Sequence, residues 1–157
     1  MLTDMGETTR TATDELLRAN REFYRAFASG DFVAMDRLWS EQGGVTCVHP
    51  GWDALRGRER VMASWRGILR RAVPVSARQE VVTLVGEVGV VVCVEALAQG
   101  ELAATNVFAF EQGRWRMIHH HAGLIARSLD RDDEPDDGDD PDDEPEDPTG
   151  GGERLLN

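Results

Sequence analysis

The sequence predicts an α+β fold, with helices first and a helix-covered antiparallel sheet after them, and three observations predict it. Leu16, Asn20, Phe23, Tyr24 and Phe27 recur at helical spacing in the first part of the chain. After Pro74 the apolar pattern changes to a period of two, the period of a strand with one buried face. Gly86, Gly100 and Gly113 then punctuate that half at the spacing of hairpin turns. Helices followed by consecutive hairpins give a sheet with one face under the helices.

Each element has its own signals. The stretch "TATDELLRANREFYRAFASGD" reads as a helix capped by Thr11 or Thr13, with Asp14 and Glu15 complementing the dipole of its first turn and Gly30 ending it. Asp31 is placed to cap a second, short helix through Trp39. "VTCVH" is a short strand stopped by Pro50-Gly51. A third helix follows Arg56-Gly57, with Val61, Met62, Trp65, Ile68 and Leu69 on one side. Strands are expected over Ala77–Val85, Val90–Ala98, Glu101–Glu111 and Arg114–Leu124.

Hairpin turns set which side chains share a face. A two-residue turn at Gln112-Gly113 pairs Phe110 with Trp115 and Phe108 with Met117, and continued alternation pairs Asn106 with His119 and Ala104 with His121. A turn at Gln99-Gly100 pairs Leu97 with Leu102, Glu95 with Ala104 and Cys93 with Asn106. One face then carries Cys93, Glu95, Asn106, His119 and His121 at a polar end, with Phe108, Phe110, Trp115 and Met117 at an aromatic end. Arg116, Ile118 and His120 fall on the other face, facing solvent or a second subunit. Arg78 has the parity to meet Glu95, and one bulge in any strand would reverse such assignments.

Charge and composition remove several classes of function. The 157 residues carry a formal charge of −12, but Met1 to Leu129 holds 15 arginines against 15 acids and is neutral. The whole excess lies in "DRDDEPDDGDDPDDEPEDPTGGGERLLN", whose dense like charge, Pro and Gly predict an acidic disordered tail over 128–157. Residues 1–12 are expected to be a flexible N-terminus. A neutral domain with scattered arginines predicts no nucleic-acid partner. "VVTLVGEVGVVVCVEAL" is broken by Gly86, Glu87, Gly89 and Glu95, so no membrane span is expected. Cys47 and Cys93, without CxxC spacing and among apolar neighbours, read as buried reduced thiols of a cytoplasmic protein. His49, His119 and His121 with Glu95 have the ligand types of a zinc site, but H-x-H on a strand is a weak signal, and no metal or cofactor is expected.

Three phrases, "REFYRAFASGDFVAMDRLWSE", "TCVHPGWDALRGRERVMASW" and "ATNVFAFEQGRWRMIHHHAG", resemble the SnoaL-like, nuclear transport factor two-like superfamily over about Thr13 to Leu124. The resemblance implies a domain over 13–127 whose strongly curved sheet forms a cone around the three helices. It implies a pocket at the open end and a homodimer through the sheet. In ketosteroid isomerase-like members the catalytic base stands after the first strand, directly before a proline, and here "VHP" puts His49 there. The acid that donates to the oxyanion corresponds to Asn106, and the phenol of the first helix to Phe23, with Tyr24 one residue out of register. Glu95 is the natural counterpart of the polyketide cyclase acid. The ending "WRMIHHH" resembles that of the kinase association domain of the calcium/calmodulin-dependent type. Pocket parity in that relative differs by one residue from the hairpin pairing near His121, which points to a bulge. Asn106 and Ala122 stand where it has pocket arginines, so its anionic ligand is not carried over.

These readings converge on a cofactor-free acid/base enzyme of isomerase, cyclase or dehydratase type, acting on a small apolar carbonyl compound. His49 is the expected general base. Asn106 is the expected oxyanion donor. Glu95 or His121 orients or carries the second proton. Phe23, Tyr24, Trp39 and Trp52 are expected to line the ligand, with Phe108, Met117 and His119 on the sheet. The competing expectation is a non-catalytic ligand-binding or oligomerising module.

Overall fold

A computed structural model describes residues 3–126, and the expected acidic tail lies outside the described residues. The elements are α1 (Thr3–Ser29), α2 (Phe32–Leu38), β1 (Thr46–Val48), β2 (Leu55–Arg56), α3 (Arg58–Ile68), β3 (Val75–Val85), β4 (Val88–Leu97), β5 (Gly100–Glu111) and β6 (Arg114–Leu124). The six strands form one sheet in the order β2-β1-β6-β5-β4-β3. It is a mixed sheet, because β1 runs parallel to β6 while every other pair is antiparallel. β1 and β6 are far apart in the chain, with β2, α3 and three further strands between them, and so long a connection allows a parallel neighbour that a hairpin does not.

Helix α1 begins at Thr3 and not at the caps expected at Thr11 or Thr13, so most of the expected flexible N-terminus is helical. Its C-terminus closes as the sequence predicts. Gly30 sits at φ +69°, its N–H bonds Phe27 O at 3.2 Å, and the Asp31 N–H bonds Ala26 O at 2.9 Å, satisfying two end carbonyls. Asp31 serves the next helix as well, its carboxylate accepting from Ala34 N at 2.9 Å. Arg58 then ties α3 to α2, donating to the carbonyls of Asp36, Trp39 and Ser40 and to the Asp36 carboxylate. Those contacts place a cation on the carbonyl end of α2.

The core lies between α1 and the concave sheet face. Leu16, Phe23, Trp39, Trp65, Phe108 and Met117 are fully buried there. Each such Leu, Phe or Met contributes about 1.5–3 kcal/mol from apolar burial. Gly89 lets Leu16 reach the sheet, since a Cβ there would stand 2.4 Å from Leu16 Cδ2.

Two bulges break the alternation. In β6, Phe108 pairs with Met117 but Val107 pairs with His119, leaving Ile118 as the extra residue. In β3, Arg78 pairs with Val94 and Val81 with Val92, so Gln79 and Glu80 oppose Cys93 alone, with Gln79 at φ +53°. The β4–β5 turn also differs from expectation. Leu97 pairs with Gly100, which makes Ala98-Gln99 the turn and pairs Glu95 with Leu102, Cys93 with Ala104 and Val91 with Asn106. Moving a turn by one residue changes every partner by two positions, so Cys93, Glu95 and Asn106 keep the facing predicted for them.

Candidate functional site: a buried polar ring beside His49

The β6 bulge overturns the facing expected for the histidines. Asn106 pairs with His120 and not His119, and Ala104 pairs with Ala122 and not His121. His120 is buried on the concave face at 1% exposure, whereas His121 is exposed and His119 half-buried with its Nδ1 2.6 Å from the Thr46 hydroxyl. His119 and His121 therefore stand on the outer face, with their rings 6.2 Å apart. The bulge separates them from His49, and the weighed zinc arrangement is not assembled.

On the concave face Tyr24, Glu95, His120 and Asn106 close a ring. The Tyr24 hydroxyl donates to Glu95 Oε1 at 3.0 Å and accepts from Asn106 Nδ2 at 3.1 Å, with Cys93 Sγ 3.3 Å away. Asn106 Oδ1 lies 2.6 Å from His120 Nδ1, and His120 Nε2 lies 3.6 Å from Glu95 Oε1. All four side chains are at most 3% exposed. A buried polar group without a partner costs about 1–3 kcal/mol, which is why closure of the ring matters.

The proton positions in this ring follow from one carboxylate at its edge. The β3 bulge turns Glu80 inward, where Oε2 accepts from Asn20 Nδ2 at 2.9 Å and Oε1 from Arg21 at 3.1 Å. Asn20 Oδ1 then accepts from Asn106 Nδ2 at 2.7 Å. Asn106 Oδ1 must therefore accept, and His120 Nδ1 donates to it. His120 Nε2 is left with its lone pair on the side of Glu95 Oε1, 3.6 Å away, an ion-pair contact longer than a hydrogen bond.

Burial raises the Glu95 carboxyl from its ordinary 4.5 to about 7, against a smaller opposing effect from the Tyr24 hydrogen bond. Burial lowers His120 to about 3, with the neighbouring histidines adding to it. The Tyr24 hydroxyl is pushed up by burial and by the Glu95 charge, and stays protonated.

His49 stands beside the ring, its centroid 6.4 Å from that of His120. "HPGW" explains its setting. Pro50 and Gly51, the latter at φ +78°, make a type II turn closed by Trp52 N–H to His49 O at 2.9 Å. The turn folds Trp52 back edge-on to His49 at 5.0 Å, and Trp65 packs on it at 4.9 Å. Burial lowers His49 to about 4, so its imidazole is neutral at physiological pH.

Of the other expected residues, Phe23 and Trp39 are core side chains at 0% exposure, and Trp52 is exposed at 53%. Phe108 and Met117, expected to line the ligand, share the inward face that hairpin pairing gives them and are fully buried in the core. Both Asn106 amide hydrogens are spent on Asn20 and Tyr24, so Asn106 is not free to donate to an oxyanion. Arg78 does not meet Glu95. It points outward, 3.6 Å from Glu101.

Among the described residues, surface cavities of about 550 and 420 Å³ meet at Glu15 and Trp115, and neither of these is lined by a member of the ring or by His49. Among the described residues no group of three His, Cys, Asp or Glu side chains is disposed to hold a metal ion. Nor is any helix there long and apolar enough to cross a membrane.

Sequence reasoning missed His120, Glu80 and Ser64, whose hydroxyl lies 2.9 Å from His49 Nε2. The first two are inward only because of bulges. Asn20 carried a visible signal, a polar residue at helical spacing within an apolar face.

The SnoaL-like domain matches residues 16–127. The chain belongs to that family. A protein of known structure, a candidate dehydratase of the NTF2-like family from Streptomyces avermitilis, is 30% identical over 76% of this chain and 99% of its own, with a TM-score of 0.70. A candidate calcium/calmodulin-dependent protein kinase type II association domain from Thiobacillus denitrificans is also 30% identical, covering 68% of this chain and 92% of its own at a TM-score of 0.60. The association domain of C. elegans CaMKII, at 18% identity and a TM-score of 0.63 over 75% of this chain and 99% of its own, shares the fold. Among curated proteins the F-box protein SKIP8 of Arabidopsis thaliana is 27% identical over 118 residues, 72% of this chain. The chain spans about half, 51%, of that relative's length. The fold is thus the SnoaL-like cone.

Proposed function

We propose that this SnoaL-like domain is a cofactor-free acid/base enzyme, of isomerase, cyclase or dehydratase type, for a small apolar carbonyl compound. One observation carries the reading: a neutral histidine and a carboxyl titrating near neutrality stand in one buried cluster, their ordinary proton affinities reversed. Oppositely tuned groups at close quarters are how one site supplies a base and an acid at the same pH. His49 takes the proton next to the carbonyl, and the Glu95–His120 pair returns one. Trp52, exposed and resting on His49, is the side chain whose displacement admits the ligand. The likeness to the Streptomyces protein, itself a candidate dehydratase, supports the same class of chemistry.

The test is solvent exchange. A panel of small cyclic and aromatic ketones is incubated with the protein in D₂O, and deuterium at the α-carbon is followed by NMR. Exchange should depend on His49 and Glu95, with His49→Gln and Glu95→Gln each lowering it by about 10²-fold or more. Its rate should hold between about pH 4 and pH 7, where His49 is neutral and Glu95 protonated, and fall above pH 7 as Glu95 ionises. A bound ketone that never exchanges, or exchanges equally in both variants, removes this reading.

A second reading is assembly through the outer sheet face. It is favoured by Val81, Val85 and Val92, exposed at 63%, 69% and 48% on that face. The likeness to kinase association domains supports it. Its expected form is a homodimer, and Val92→Arg should then lower the mass seen by light scattering. That surface carries His119 and His121 in place of the expected His120.

A further inference from the structure

We infer that Ser64 is a positioning residue that holds His49 as the Nε2–H tautomer and leaves Nδ1 as its reactive nitrogen. The role of Nδ1 in chemistry rests on the proton-transfer reading above, whereas the tautomer does not. Ser64 Oγ lies 2.7 Å from Val61 O, the carbonyl one turn back on α3, and 2.9 Å from His49 Nε2. A carbonyl oxygen only accepts, so the single hydroxyl hydrogen of Ser64 goes to Val61. The serine oxygen then faces His49 as an acceptor, and Nε2 must carry the proton. Reversing that bond would set two oxygens 2.7 Å apart with no hydrogen between them.

The other neighbours of the imidazole do not compete for this choice. Cys47 Sγ stands 3.7 Å from Nε2 and 3.9 Å from Nδ1, nearly equidistant from the two nitrogens. Trp52 and Trp65 meet His49 through ring edges and faces. Ser64 is therefore the polar group that distinguishes the two nitrogens. Among the described residues Nδ1 keeps its lone pair, with only a weak thiol donor near it.

The arrangement has an internal contrast. Asn106 makes His120 an Nδ1–H imidazole, so two buried histidines 6.4 Å apart hold opposite tautomers. Their unprotonated nitrogens are Nδ1 on His49 and Nε2 on His120. A bound substrate thus meets one defined base on residue 49, and Glu95 meets one defined base on residue 120.

The test is ¹⁵N NMR of histidine-labelled full chain at pH 7.5, where four histidines make assignment tractable. His49 should give a protonated-type Nε2 and an unprotonated-type Nδ1 signal, with the reverse for His120. Ser64→Ala should leave His120 as it is and turn His49 into a tautomer mixture, while Ser64→Thr restores the wild-type pattern. In the α-exchange assay Ser64→Ala should lower kcat about 10-fold with little change in KM. An Nδ1–H signal for His49 in the wild type, or a Ser64→Ala spectrum identical to it, overturns the inference; the wild-type measurement stands even should the variant not fold. The predicted tautomers without any exchange activity would uphold Ser64's role and remove the proton-transfer reading alone.

Discussion

The β4–β5 and β5–β6 hairpins share a strand and differ in one respect. The first pairs without a break from Val88↔Ala109 to Leu97↔Gly100, and the second carries one extra residue at Ile118. In the unbroken ladder the inward positions are those that alternation predicts, and Cys93 and Glu95 face inward there, although the shifted turn moves their partners by two positions. In the broken ladder the inward histidine is His120 in place of its two neighbours. Bulges re-aim side chains, and both bulges here feed the polar ring, one with His120 and the other with Glu80. The regular ladder supplies Glu95 and Asn106, and the bulges bring His120 and Glu80 to meet them.

The largest effect that would break this comparison is the removal of the group tying the two bulges together. Asn106→Leu leaves Asn20 Oδ1, His120 Nδ1–H and one partner of Tyr24 without hydrogen bonds in a fully buried place. Urea unfolding should show a loss of about 3–5 kcal/mol, more than one unsatisfied group would give. A loss under about 1 kcal/mol would mean that the ring is not closed as described.

Acidification probes the same buried groups with a sign that can be worked out. His49 titrates at about 4 when folded against an ordinary 6.5, so the unfolded chain binds the extra proton in that window. Stability from this group is complete above pH 6.5 and is lost as pH falls through about 4, amounting to about 2–3 kcal/mol by pH 4.5. Glu95 acts oppositely. Its folded value is raised to about 7 from 4.5, so its contribution is full below pH 4.5 and is lost as pH rises through 7. His49→Gln should therefore flatten the acid limb of the stability curve, and Glu95→Gln should steepen it between pH 7 and 4.5. Equal slopes in the two variants would contradict the environments assigned to both residues.

How much of this was legible depends on what each feature leaves in the sequence. Helix ends are written in side-chain chemistry, and Gly30, Asp31 and Gly57 stand where the caps are. The Gln112-Gly113 turn, with φ of 51° and 80°, is announced by its glycine. Glu95 was legible as a carboxylate in an apolar run, and His49 through the histidine-proline resemblance. A bulge leaves no such mark. Ile118 is an ordinary strand former, and Gln79 takes a left-handed conformation without being glycine. Only the mismatch of pocket parity with a kinase-type relative pointed to the β6 bulge. Ser64 was invisible, because its role depends on the distance of α3 from the turn after β1.

Packing in the regular region offers a test of intermediate size. Gly89 lies in the unbroken ladder opposite Phe108, under the Leu16 side chain. Gly89→Ala would put a methyl group 2.4 Å from Leu16 Cδ2, and Leu16 has no exposed space to retreat into. A loss of about 1–3 kcal/mol in thermal or urea unfolding is expected from such overpacking. Leu16→Ala combined with Gly89→Ala should lose less than the sum of the two single changes, since the second substitution clears room for the first.

The smallest effect concerns Arg78, the residue whose parity suggested a partner for Glu95. It stands just before the β3 bulge on the outer face, and its guanidinium is 3.6 Å from Glu101 with the two side chains 62% and 49% exposed. A pair so open to water is screened and costs side-chain entropy to hold, so Arg78→Ala should change stability by about 0.5 kcal/mol or less. Had Arg78 faced inward, its removal would strip a buried carboxylate of its counter-charge, at a cost of about 3–5 kcal/mol. The pH at which Glu95 titrates should likewise be the same in Arg78→Ala and the wild type, as read by ¹³C NMR of its carboxyl. A shift upward in the variant would place Arg78 beside Glu95, and with it the bulge that turns Glu80 inward would be lost.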